Sequence, residues 1–340
     1  MTAAPAQGLV HLLGRADAGD PTTASARSLS RHLAASGGPV ALVAVAPAAG
    51  CPGVALADEA SLAGRDVVVH TVDGGEPLAD LLPRVHARSL HLVHHGSRAG
   101  SDRSVLRRLR GATWSCSAVD PSAREELRSL GFGRVDVLPR AALEGGLDAV
   151  VADEGTAENV ARHPGPRILA VGPIEPGRSL ELLIDAFAHL VAGAQPSATL
   201  SLCGPSSPWY AAMLRRRILA RGLLACELAT PVDERAVVAR LDHAHAVVAL
   251  HPAATDPYLR RAADRGVPVV APLVARTAWL HGRALVAIPA GVGPTALAEA
   301  LDTAIAAPPQ EGSAGPAAPA GPARLVPADD VALSRILAIG

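Results

Sequence analysis

The chain has 340 residues, room for two domains of ordinary size, and 49% of them are apolar, enough to fill two cores. Its net charge of −1 gives no reason to expect nucleic acid or an anionic membrane as the main partner, and every fixed side-chain cation is an arginine. Aromatics make up only 2%, so stacking platforms for single-stranded nucleic acid are scarce.

In chain order, the N-terminus lacks a basic segment followed by an apolar core, so no signal peptide is expected. Leu9 to Leu13 reads as a first strand, with Gly14 to Pro21 as the loop after it. Thr22 or Thr23 caps a helix with Ala26, Leu29 and Leu33 on one face. Val40 to Ala46 is the second strand. The weakly polar stretch Val40 to Ala57 is broken by Pro47, Gly50, Pro52 and Gly53, which excludes it as a membrane span. Asp66 to Val72 is the third strand, and a helix lies around Pro77 to Ala87. Leu90 to Val93 is the next strand, running into His94-His95-Gly96-Ser97. A helix over Ser101 to Leu109 and strands at Ala112–Ala118 and Val135–Leu138 complete the half, with Asp120 capping a helix that has Pro121 at its first position. Strands alternating with helices point to a parallel, doubly wound sheet.

Arg140 to Pro166 is poor in strand pattern, and the domain boundary is placed at its end, near Pro164-Gly165-Pro166. The second half repeats the alternation, with strands near 168–171, 198–203, 226–229, 246–250, 267–271 and 284–288. The expected organisation is a first domain over 1–164, a second over 165–306, a Pro/Ala/Gly-rich linker over 307–325 and a C-terminal tail over 326–340. None of the four cysteines, Cys51, Cys116, Cys203 and Cys226, forms a C-x-x-C pair, so no metal site is expected. Cys116 and Cys203 sit in strands, as buried thiols of a reducing, cytoplasmic compartment would.

The most informative stretch is Arg167 to Leu190. A short apolar strand meets a Gly172-Pro173 turn and a second turn at Glu175-Pro176-Gly177. A helix follows with apolar positions at Leu180, Leu182, Leu183, Ile184, Ala186, Phe187 and Leu190, mainly a helical period. This is the opening unit of a Rossmann-like half. A helix N-terminus welcomes an anion, and Arg178, just before it, adds a phosphate grip.

Here the chain resembles the GT-B glycosyltransferases of family 4. Val171-Gly172 and Asp185-Ala186-Phe187 match the family's wording. Arg178 falls where the family has lysine, Pro173 where it has arginine, and Ser179 where it has glycine. Leu200 to Gly204 is similar to the family's strand ending in G-x-G, and Gly266-Val267-Pro268-Val269-Val270-Ala271 to its G-V-P-V-V-A. The family's most specific signature, Glu, seven residues, Glu, falls on Ala253 and Arg261, and neither is acidic. The family's second Glu binds ribose hydroxyls, and an arginine has no acceptor for them.

The resemblance implies an α/β GT-B fold, two Rossmann-like doubly wound domains facing a cleft. The implied activity is retaining transfer of a hexose from a nucleoside diphosphate sugar to an acceptor. Nucleotide sugar and acceptor are the partners, with no cofactor beyond the donor and no nucleic acid. It implies donor-binding roles for Gly172, Arg178, Ser179, Gly204 and Asp256, the last also suited to capping the following helix. Gly14 and Gly19 fall on an acceptor-side loop. His95 resembles a family histidine that reaches the donor sugar, and His94 is one register away from the same match. The absent glutamates favour a second reading, a glycosyltransferase-like binding or partner protein without turnover. Arg178→Ala is expected to weaken diphosphate binding about tenfold with folding hardly changed. Ser97 makes no nucleophile elbow, because His95 stands where G-x-S-x-G needs its first glycine. No G-x-G-x-x-G follows the first strand and no P-loop occurs, which argues against dinucleotide oxidoreductases and NTPases.

Overall fold

A computed structural model describes residues 9–35, 39–47, 54–71, 76–96, 104–111, 113, 115–138, 142–143, 147, 150–230, 232–252, 256–274, 277–280 and 285–307. Their contacts divide them into two compact units. The first takes 9–17 and the described residues of 22–146; the second takes 18–21 and those from 147 on.

The first unit is a seven-stranded parallel sheet: β1 (Leu9–Ala16), β2 (Val40–Pro47), β3 (Ala55–Leu56), β4 (Asp66–Thr71), β5 (Ser89–His94), β6 (Ser115–Ala118) and β7 (Val135–Val137), in the order β3-β2-β1-β4-β5-β6-β7. Every residue of β4 and β5 is buried, as befits central strands of a parallel sheet covered on both faces. β1 runs three residues beyond its expected end, because Arg15 and Ala16 continue the ladder beside Ala46 and Pro47 of β2. Gly14 is therefore a strand residue and not part of a loop. The helix after it, Pro21–Ala35, begins two or three residues earlier than expected, with proline's fixed φ suiting the first position. Thr22 and Thr23 thus lie inside its first turn, and Thr23 Oγ1 accepts a 3.2 Å bond from the Asp17 N–H. Asp120 caps helix Pro121–Ser129 as expected, its Oδ1 accepting from the Ala123 N–H at 2.6 Å.

The second unit is a six-stranded parallel sheet: β8 (Arg167–Val171), β9 (Thr199–Cys203), β10 (Cys226–Ala229), β11 (Ala246–Val248), β12 (Val269–Pro272) and β13 (Leu285–Ile288), in the order β10-β9-β8-β11-β12-β13. Its core is built on helix Leu180–Ala192, whose Leu183, Ile184, Phe187 and Leu190 are buried against Ile168, Leu200 and Leu202 of the sheet. Leu297 and Leu301 of the last helix, Pro294–Ala306, join the same cluster. Each such side chain contributes about 1.5–3 kcal/mol by leaving water. Cys116 and Cys203 are buried free thiols, and burial pushes the Cys203 thiol up to about 12.

Sequence pattern passes over helix Glu154–Ala161, which has no buried apolar residue. Asp153 caps it through the Thr156 N–H at 2.8 Å, and the Asp153 N–H donates to the Arg235 carbonyl at 3.1 Å. The helix packs on Glu234–Asp242, so residues 150–164 fold with the second unit and the division falls before the Pro-Gly-Pro stretch. The linker expected over 307–325 and the tail over 326–340 lie, beyond Ala307, outside the described residues, as do Cys51 and Ser97. Among the described residues no helix is long and apolar enough to cross a membrane.

Candidate functional site

In the second sheet the chain leaves β8 toward β9 on one side, while β11 lies on the other. That reversal is where open α/β sheets hold ligands, beyond the carboxyl ends of the strands. A pocket of about 50 Å³ lies there, lined by Ala170, Gly172, Arg178, Leu183, Val248 and His251 among others. It is far smaller than the ~300 Å³ at which small-molecule sites usually begin.

The turn between β8 and helix Leu180–Ala192 supplies part of its lining. Arg178 Nε donates to Glu175 Oε1 at 2.9 Å and a terminal nitrogen donates to the His251 carbonyl at 2.8 Å. Its side chain is 19% exposed. Arg178 thus ties the loop after β8 to the loop after β11, and its charge faces a carboxylate. It is a half-buried brace, so removing it costs stability that a solvated turn arginine would not. Ser179 lies in the left-handed region at φ 57°, alone among the described non-glycine residues. It stands where the resembled family has glycine, the residue that adopts that conformation without strain. Its Oγ is 2.9 Å from His251 Nε2. Sequence reading passed over His251; its one signal was its place just past the end of a buried strand. Burial, and then the Arg178 charge, hold His251 below its ordinary pKa, so it is neutral at pH 7.

Gly172 and Gly204 end β8 and β9 with φ of 140° and 154°. A Cβ on Gly204 would overlap the Gly172 carbonyl oxygen, so the two backbones meet where only glycine fits. Gly19, at φ 79°, belongs by contacts to the second unit and donates its N–H to the Tyr258 hydroxyl at 3.0 Å. Asp256 Oδ1 accepts from the Tyr258 and Leu259 N–H groups, both at 3.1 Å. It caps helix Pro257–Asp264. Arg261, which falls where the resembled family has its second glutamate, forms a two-pronged pair with Asp242, both bonds 2.9 Å, and donates to the Leu147 carbonyl at 2.6 Å. Ala253 lies outside the described residues.

In the first unit, β5 carries His94 and His95 to opposite fates. His94 contacts Thr71 Oγ1 and Glu126 Oε2, both at 3.2 Å, and is 1% exposed. His95 stands just past the strand, 7% exposed, its Nε2 3.0 Å from His70 Nδ1. Burial, and then the neighbouring His94, push its pKa down to about 3. Gly14 sits within β1, where a Cβ would meet Leu78 at 3.4 Å. Among the described residues no three His, Cys, Asp or Glu converge so as to hold a metal ion.

Two Rossmann-like α/β units in one chain define the GT-B class of fold. Among solved structures the chain is similar to sucrose-phosphate synthase from Thermosynechococcus elongatus, at 16% identity and TM-score 0.58 over 98% of this chain and 95% of that one. It is similar to HepE of Anabaena in complex with UDP-glucose, at 15% identity and TM-score 0.60 over 88% and 90%. A third likeness is to an α,α-trehalose-phosphate synthase (UDP-forming) from Burkholderia vietnamiensis, at 12% identity and TM-score 0.53 over 89% and 90%. At these identities the likeness carries the fold. No protein-family model and no curated protein sequence matches the chain.

Proposed function

We propose that the chain is a retaining glycosyltransferase that moves a hexose from a nucleoside diphosphate sugar to an acceptor, with the diphosphate at the start of helix Leu180–Ala192. The observation that carries this reading is the turn before that helix, where the N-cap residue Ser179 is left-handed and makes no side-chain cap bond to the helix's first amides, beside the switch-point crevice. Negative charge develops on the departing diphosphate, and preformed amides with Arg178 would meet it. UDP sugars are the first donors to try, since HepE was solved with UDP-glucose and the Burkholderia enzyme is UDP-forming. On this reading Gly172 and Gly204 let the backbone approach the donor, Gly14 and Gly19 lie on the acceptor side, and His95 faces the sugar. Asp256 serves chiefly to set the helix that follows it.

A specific observation favours the second reading, a nucleotide-binding partner protein without turnover. Arg178 is already paired with Glu175, and Arg261, which falls where the resembled family has its ribose-binding glutamate, is paired with Asp242. A diphosphate must therefore displace Glu175. Titration calorimetry with UDP decides the matter. Glu175→Gln removes the competing charge and is expected to tighten UDP binding about tenfold, while Arg178→Ala weakens it about tenfold. Arg178→Ala is also expected to lower stability by about 1–2 kcal/mol, because it strips a bond from the His251 carbonyl. UDP affinity indifferent to both changes would remove the site. Binding without release of UDP from a panel of UDP sugars and acceptors would select the partner protein.

A further inference from the structure

Three histidines of the first unit form a hydrogen-bonded file. In the parallel pairing Leu13 stands beside His70, and His70 beside Val93. Residues two apart on a strand share a face. His11, His70 and His95 therefore lie on one face of the sheet, each one strand over and two residues nearer the carboxyl edge. His11 Nδ1 is 2.8 Å from His70 Nε2, and His70 Nδ1 is 3.0 Å from His95 Nε2. The first two rings stack with centroids 5.1 Å apart. His11 is wholly enclosed, and its Nε2 has no partner. The outer end of the file is His95 Nδ1, at the carboxyl edge of the sheet, the edge at which open α/β sheets hold ligands. The fourth histidine on this face, His91, is engaged separately with Ser115 and Ser117.

A neutral imidazole carries one N–H and one bare nitrogen. Burial keeps all three rings neutral. Each N···N contact needs one donor and one acceptor, so the three protons move in step: all on Nδ1, or all on Nε2. The second arrangement leaves a buried N–H on His11 without an acceptor. The first leaves only a bare lone pair there. Orphaned buried N–H groups are rarer than under-satisfied acceptors, and each costs its desolvation. The usual bias of free imidazole toward Nε2–H works the other way, and the sealed inner end overrides it.

We propose that His11 and His70 are positioning residues that hold His95 as its Nδ1–H tautomer, so that the edge of the first sheet presents a neutral N–H donor. Such a group gives a hydrogen bond to a hydroxyl or phosphate oxygen and does not act as a base through Nδ1. The identity of that oxygen as part of a donor sugar rests on the glycosyltransferase reading; the tautomer does not.

The test is a long-range 1H–15N correlation spectrum of the full chain, labelled with 15N-histidine, at pH 7.5 and without nucleotide. His11, His70 and His95 should each show a protonated-type Nδ1 and a bare-type Nε2. A proton on His95 Nε2, or averaged shifts for His95, overturns the proposal. His70→Phe keeps a ring in place but removes the donor to His95 Nε2. His95 should then move to averaged shifts, and unchanged His95 shifts in a folded variant would also overturn it. If that variant does not fold, the spectrum of the unaltered chain still decides. Because no ligand is present, a failure here is distinct from a failure of UDP binding.

Discussion

Gly204 and Ser179 are single residues whose backbone angles set what the switch-point turns can tolerate. Gly204→Ala would drive a methyl into the Gly172 carbonyl at φ 154°. A loss of about 3 kcal/mol or more is expected in urea unfolding, since neither backbone can move without disturbing two strands. Ser179 poses the opposite case. Ser179→Gly removes left-handed strain of about 1 kcal/mol but forfeits the bond to His251, so stability should change by less than about 1 kcal/mol. Ser179→Ala keeps the strain and loses the bond, and should be the less stable of the two by about 1 kcal/mol. Equal melts for the two variants would show that the left-handed angle costs nothing here.

Helices Pro257–Asp264 and Glu234–Asp242 are joined by the Arg261–Asp242 pair, with side chains 10% and 13% exposed. Arg265 reinforces Asp242 from the next turn at 3.1 Å. This pairing gives Arg261 a partner within the fold, at a position where the resembled family has glutamate. Arg261→Glu would supply that glutamate, yet it sets two carboxylates against each other in a half-dry setting. It should cost about 3 kcal/mol and confer no nucleotide affinity. Combining it with Asp242→Arg reverses the pair and should recover most of that loss, which paired unfolding curves would read as a coupling energy. Tighter UDP binding by Arg261→Glu alone would mean that the position faces the ligand.

Across the whole molecule, the buried histidines tie stability to pH. The unfolded chain protonates His11, His70 and His95 near pH 6.5, whereas burial holds their folded values far lower, to about 3 for His11 and His95. Below pH 6.5 the unfolded state therefore binds more protons, and stability falls as pH drops toward 3. Each group contributes up to about 1.4 kcal/mol per pH unit, so the three together give a slope of about 4. Urea unfolding at pH 7.5, 6 and 5 should show it, and His70→Phe should flatten it by about a third. A flat profile would mean that the folded chain takes up these protons.

Alternating apolar runs and turn residues were enough to read nearly every central strand and the doubly wound class, because burial on both faces leaves a continuous apolar signature in parallel strands. The sequence alone also marked the strand–turn–helix at Arg167–Leu190 and the caps Asp120 and Asp256, whose chemistry is local. What it left open was settled by residues distant in the chain. Helix Glu154–Ala161 carries no apolar stripe, so only its packing on Glu234–Asp242 reveals its unit. Arg178 reads as a free phosphate grip until the loop after β11 brings the His251 carbonyl against it, with Glu175 on its other nitrogen. Among 13 histidines, the sequence marked His95 by its family resemblance, but neither His11 nor His70 stands out. Their alignment depends on the registers of β1 with β4 and β4 with β5, and register is a property of the folded sheet.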